Sequence, residues 1–179
     1  MVVEEKKLSS EEIYSGHIIK VYKDEVSLAE GKTSIREVVR HKGATAILAV
    51  DEKGDAYFVE QFRYPVAMPV FEAPAGKIDA GETPLECAKR ELLEECGLLA
   101  EKWTDFGPMF STPGFCDEVI HLFMAQNLCQ STQNLDEDEF LDVIKMPLAK
   151  ALERLRKGEI PDSKTQILIL RGCDILGIK

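Results

Sequence analysis

Residues 76–98 read GKIDAGETPLECAKRELLEECGL, and the fold turns on this stretch. Thr83 stands where a helix N-cap belongs, Pro84 suits the first helical position, and Glu86 completes a Thr-x-x-Glu capping box. Gly97 suits a left-handed cap at the far end. Between these signals Leu85, Ala88, Leu92 and Cys96 recur at spacings of three and four, which predicts one apolar stripe. Glu91, Glu94 and Glu95 lie at i, i+3 and i+4, so their carboxylates share a side of the helix. Each such like-charge pair costs an isolated helix about a few tenths of a kcal/mol, and the macrodipole disfavours anions near the C-terminus. One account is a solvated acidic face balanced by Lys89 and Arg90. The other is a hard-cation site, because clustered carboxylates offer the oxygen ligands that Mg²⁺ or Mn²⁺ prefers.

Working outward, the N-terminal third reads as strands. His17–Leu28 is rich in β-branched and aliphatic residues and ends in a turn signal, Ala29–Lys32. Thr33–Arg40 alternates loosely, and Ala44–Val50 is almost wholly apolar, as a buried strand would be. Asp51–Asp55 reads as a hairpin loop before a further strand, Ala56–Arg63. Pro65, Pro69 and Pro74 then exclude a persistent helix. After the helix, strands are expected at Trp103–Phe110, Val119–Gln126 and Phe140–Met146, and helices near Pro147–Lys157 and Ser163–Asp174. Strands on both sides of one helix, with helices at the end, predict an α/β sandwich.

The chain has 179 residues and a formal net charge of −10. That length suits one domain, with room for a small appendage. The acidic balance argues against a nucleic-acid binder, which needs a basic face. An anionic substrate would be repelled unless local cations receive it. Five cysteines without a CxxC pair read as reduced thiols of a cytoplasmic protein, with Cys87 and Cys96 as small core residues. The first residues lack the apolar run of a signal peptide, and no apolar run is long enough to cross a membrane.

Gly76, five residues, Glu82, seven residues, Arg90-Glu91, Leu92, one residue, Glu94-Glu95, one residue, Gly97 and Leu98 form a complete Nudix box. Seven fixed residue types arise by chance at about 10⁻⁸ per start position. The chain therefore resembles the Nudix family. The resemblance implies an α/β/α sandwich with a mixed sheet, a box folded as loop–helix–loop, and hydrolysis of nucleoside diphosphates linked to another moiety. It also implies divalent cations, usually Mg²⁺ with Mn²⁺ as the alternative, held by Glu91 and Glu95 with Glu94 contributing, and by the backbone carbonyl of Ala75. Arg90 and Glu82 would hold the box together beside Gly76 and Gly97, with Arg90 and Glu94 close to the catalytic chemistry. Glu86 is also placed for an i,i+4 pair with Arg90. Metals loaded on carboxylates would explain how so acidic a protein receives a phosphate.

Beyond the box the chain resembles the ADP-ribose pyrophosphatase branch over nearly its whole length. The carriers are Arg36–Val39, Glu60–Pro65, Glu72–Gly76, Pro113 at 15 residues after Leu98, and the run Ser111–Glu118. By this resemblance Arg63 holds a phosphate, Arg36 reaches substrate from the partner subunit, and Glu118 with the Gly114–Phe115 backbone lies near the ribose. The acidic run 136–139 matches a loop over the metals, with Glu137 as general base and Glu139 as a further ligand, or the reverse. His41 and His121 read as structural or surface residues. The expected architecture is an N-terminal antiparallel β subdomain, residues 1–42, exchanged between two protomers of a homodimer, followed by a hydrolase domain, 43–179. The expected reaction is Mg²⁺-dependent hydrolysis of ADP-ribose to AMP and ribose 5-phosphate. Two other classes remain open: hydrolysis of a dinucleoside polyphosphate, NADH or a UDP-sugar, and a non-catalytic Nudix-like ligand sensor.

Overall fold

A computed structural model describes residues 2–135 and 140–179. The chain divides into two compact units: Met1–Gly43 with Phe110–Val119, and Ala44–Met109 with Ile120–Lys179.

The first unit is built on a three-stranded antiparallel sheet, β1 (Lys6–Ser15), β2 (Lys20–Ser27) and β3 (Thr33–Arg40), in that spatial order. The β2–β3 pairing runs from Lys20↔Arg40 to Ser27↔Thr33, closed by a short 3₁₀ turn at Ala29–Gly31. Asp24 is buried and is held by the Ser10 hydroxyl at 2.5 Å and by Arg40 at 3.5 Å. The segment 110–119 joins this unit by hydrogen bonds. Val39 N–H donates to Phe115 O at 2.7 Å, Asp117 N–H donates to Val39 O at 3.1 Å, and the Asp117 carboxylate accepts from His41 N–H and Arg40.

The second unit carries a mixed sheet in the order β10 (Leu141–Pro147), β5 (Asp55–Arg63), β4 (Ala44–Val50), β9 (Val119–Gln130), β8 (Leu98–Phe110). Two short strands, β6 (Met68–Glu72) and β7 (Ala75–Lys77), pair with β5 and β4. β4 runs parallel to β9 and antiparallel to β5 and β7. The near-continuous apolar run of β4 has a direct cause: both faces of the strand are covered. Ala46, Leu48 and Val50 face a core with Phe58, Leu122, Met124 and the helices α2 (Leu148–Arg156) and α3 (Ser163–Leu176). Ile47 and Ala49 face the opposite core, with Val59, Phe123 and the apolar stripe of α1 (Pro84–Cys96). Helices on both faces of one sheet make the α/β/α sandwich that the sequence implied.

α1 forms as read. Thr83 Oγ1 accepts from Glu86 N–H, and the Glu86 carboxylate accepts from Thr83 N–H at 2.9 Å, so the box is reciprocal. Gly97 closes the helix at φ 63°. A Cβ there would lie 2.9 Å from Gln133 N, because residues 131–134 dock on this helix end. Three strands escaped the sequence reading. β1 is exposed along its whole length, and its apolar residues Leu8, Ile13 and Tyr14 do not alternate regularly with polar ones, so it carries no period-two signal. β6 and β7 lie in the proline-broken stretch that reads as irregular, where Pro69 sits within the short β6 and Pro74 comes just before β7.

Candidate active site

The box brings its carboxylates to one backbone segment. β7 lies against α1, and Glu91 and Glu95, one helical turn apart, point at it. Glu95 is 2 % exposed, and its Oε2 accepts the N–H of Ala75 at 3.0 Å. Glu91 is 7 % exposed and lies against Gly76 so closely that a Cβ there would sit 1.8 Å from its carboxyl carbon. Glycine is required at residue 76 for that approach.

Arg90 organises the remaining acids. Its Nε and Nη2 grip Glu82 at 2.9 and 3.0 Å, and its Nη1 donates to Glu91 at 2.7 Å and to Glu94 at 2.9 Å. Nη2 also donates to Lys77 O at 3.1 Å. The Arg90 fork thus ties the loop before α1 to three carboxylates on or beside the helix, and like-charge repulsion on this face is offset there. The hydrogen bond from Arg90 holds the Glu82 carboxyl below its ordinary value. Glu86 makes no pair with Arg90 among the described contacts, contrary to the i,i+4 expectation. Its carboxylate is used on the Thr83 N–H and hydroxyl, the nearer donors at a helix start. Burial pushes the Cys87 and Cys96 thiols up to about 12, so neither is a thiolate at neutral pH.

Among the described residues, no three His, Cys, Asp or Glu side chains form a ready metal cage. The donor chemistry nevertheless fits a hard divalent cation. Two buried carboxylates converge on the Ala75–Gly76 backbone, and oxygen is the only donor type they present.

Arg63, at the end of β5, makes a bidentate pair with Glu72: Nε to Oε1 at 2.7 Å and Nη2 to Oε2 at 2.8 Å. Glu72 is 2 % exposed and takes a second cation, Lys164. Burial pushes the Glu72 carboxyl up, but Arg63 and Lys164 together bring it below its ordinary value. Sequence reading assigned neither Glu72 nor Lys164 a role. A signal was present in Lys164, a cation in the first turn of a helix, where the dipole disfavours one.

In the first unit, Arg36 forks onto Glu5 at 2.6 and 2.9 Å. The backbone of Gly114 and Phe115 lies in the segment pinned to β3. Phe115 is 56 % exposed and lines a recess of about 540 Å³ with Tyr22 and Val39. Glu118 Oε1 lies 3.5 Å from His41 Nδ1, which itself accepts the Gly43 N–H at 3.1 Å. His41 therefore borders a proposed ribose ligand, a proximity that spacing along the chain did not reveal. Glu137 and Glu139 lie outside the described residues.

Comparison with known proteins adds the family. The profile described as NUDIX domain matches residues 39–166. The chain belongs to the Nudix family. A second profile, described as nucleoside diphosphate sugar hydrolase N-terminal domain, matches residues 5–39 of this Nudix chain. It is similar to the ADP-ribose pyrophosphatase of Bacillus subtilis (strain 168), with 43 % identity over 169 residues, 93 % of this chain and 91 % of that one. It is 42 % identical over 168 residues to the methanol dehydrogenase activator of Bacillus methanolicus, with the same coverage. A crystal structure described as an ADP compounds hydrolase shares the Nudix fold at a TM-score of 0.85 and 20 % identity, over 97 % of this chain and 95 % of that one.

Proposed function

We propose that this Nudix protein hydrolyses ADP-ribose to AMP and ribose 5-phosphate with Mg²⁺ as its cation. The observation that carries the reading is the convergence of buried Glu91 and Glu95 on the Ala75–Gly76 backbone, braced by Arg90. Support for the substrate comes from the N-terminal match to nucleoside diphosphate sugar hydrolases and from the ADP-ribose pyrophosphatase relative.

Glu91, Glu95 and the Ala75 carbonyl would hold the cation, with Glu94 at the edge of the set. When bound, Mg²⁺ supplies charge neutralisation for the diphosphate and acidifies a coordinated water. Arg63 binds a phosphate oxygen, for which its planar fork is suited. Arg36 contributes a second phosphate contact from the partner protomer, exchanging Glu5 for the substrate. Glu118 and the Gly114–Phe115 backbone hold the ribose. Water attacks one phosphorus, the bridging P–O bond breaks, and the bridging oxygen leaves with the other phosphate. Glu137 takes the proton of the attacking water and Glu139 adds a carboxylate, an assignment made from sequence alone. The homodimer is proposed with it: the edge strand β1 exposes Leu8, Ile13 and Tyr14, apolar side chains that a second copy would cover.

A substrate panel tests the reading. ADP-ribose, ADP-glucose, UDP-glucose, NADH, diadenosine polyphosphates and nucleoside triphosphates are each incubated with Mg²⁺ and ranked by kcat/KM. ADP-ribose is expected to lead. A lead of about tenfold by a triphosphate or a dinucleoside polyphosphate, worth about 1.4 kcal/mol, overturns the substrate while leaving Nudix chemistry in place.

A further inference from the structure

Lys164 stands in the first turn of α3, and its side chain is only 12 % exposed. A cation so placed must be held by acids, because dipole and burial both oppose it. Its Nζ donates to Glu72 Oε2 and, at 2.9 Å, to Asp162 Oδ1. Asp162 caps the same helix through Thr165 N–H at 2.9 Å, and Thr165 Oγ1 accepts the N–H of Ala73 at 2.7 Å. The start of α3 therefore clamps the segment Glu72–Ala73 that leads into the Ala75–Gly76 backbone. Glu72 is shared by two cations of different exposure. Lys164 lies inside with its stem packed away, whereas the Arg63 side chain is 42 % exposed and opens to solvent.

We infer that Lys164 is the standing counterion of Glu72 and that this frees Arg63 to turn onto a substrate phosphate. Resting on the reading of Arg63 as a phosphate ligand, the inference supplies what that reading needs. A buried carboxylate stripped of its only cation is strongly disfavoured, so an arginine bound alone to Glu72 would be held there. With Lys164 present, Glu72 keeps a charge-assisted hydrogen bond when the guanidinium leaves. Asp162 keeps Lys164 aligned during the exchange through its own bond to Nζ. Lys164 touches no substrate: it is a positioning residue acting through Glu72. Its effect falls on affinity for the diphosphate and leaves the bond-breaking step alone.

The test is a cycle of variants on the full-length protein. Readouts are KM and kcat for the best substrate of the panel, and calorimetric Kd for the ADP-ribose analogue with a methylene in place of the bridging oxygen. Lys164→Met is expected to raise KM and Kd about tenfold with kcat within about twofold. In a Glu72→Gln background, where Arg63 has no carboxylate to hold it, Lys164→Met changes Kd by less than about twofold. Lys164→Arg keeps the charge and keeps the wild-type Kd. Should Lys164→Met not fold, Lys164→Gln, which keeps a donor without the charge, carries the same expectation. An unchanged Kd in the neutral variant overturns the inference, and so does a tenfold loss that persists beside Glu72→Gln. Arg63→Ala separates the two readings. If it leaves Kd unchanged, the phosphate role of Arg63 fails; if it weakens Kd while Lys164→Met does not, only the role of Lys164 fails.

Discussion

Gly76 and Glu91 share space that only a hydrogen side chain allows. Gly76→Ala must displace the Glu91 carboxylate, and a shift of about 1 Å in such a group costs about 10²-fold in rate. The substitution should lower kcat to that extent, measured at saturating Mg²⁺ with circular dichroism confirming the fold. Glu91→Gln and Glu95→Gln each remove a charge while keeping shape, and each should lower kcat by about 10²–10³-fold. Near-wild-type turnover in Glu95→Gln would remove it from the metal set. Acid stability follows from two other carboxyls. Glu82, through Arg90, and Glu72, through Arg63 and Lys164 against its burial, have folded values below their unfolded ones. Their contribution is complete above the unfolded carboxylate value, about 4.3, and is lost as pH falls toward the folded value. Urea midpoints should therefore drop on acidification below about pH 5, and less steeply in Glu82→Gln than in wild type. At this scale the grouping of Glu91, Glu94 and Glu95 was legible, because it follows from their spacing along one helix. The pairing of Glu72 with Lys164 was not, since the two are 92 residues apart and no local pattern joins them.

Elements were legible where a local signal exists. The capping box, the terminal glycine and the i, i+3, i+4 stripe define α1 to the residue, and the apolar run of β4 shows a strand covered on both faces. β1 carries no such signal. Its ten residues are all exposed, and its place is set by backbone pairing with β2 and by side-chain hydrogen bonds to that strand such as Ser10 to Asp24. β6 carries Pro69 and β7 is only three residues long, so neither shows a period, yet β7 presents the backbone on which the carboxylates converge. The cap also gives a quantitative expectation. Thr83→Ala removes the acceptor for Glu86 N–H and a partner of the Glu86 carboxylate. It should cost about 1 kcal/mol, read as a lower urea midpoint at unchanged m-value. A loss below about 0.3 kcal/mol would show that tertiary packing, and not the cap, fixes this helix end.

For the whole molecule, an α/β sandwich was legible from element order, and membership of the Nudix family, with the α/β/α layering that the resemblance implies, from the box. The incorporation of 110–119 into the N-terminal unit was not, because it rests on hydrogen bonds from Val39, Arg40 and His41 to residues more than 70 positions away. The proposed exchange of the N-terminal unit predicts a light-scattering mass about twice 20.0 kDa. It also predicts loss of activity when residues 1–42 are removed; a monomeric, fully active truncation would refute it. The central claim is hydrolysis at the diphosphate bridge under control of a divalent cation, and ³¹P NMR observes that bridge directly. ADP-ribose incubated with the protein and Mg²⁺ should lose its diphosphate resonances and gain two phosphomonoester signals, those of AMP and ribose 5-phosphate, with conversion stopping when a chelator is added in excess. Diphosphate resonances that persist with Mg²⁺ present, or conversion that continues unchanged under the chelator, would contradict the account.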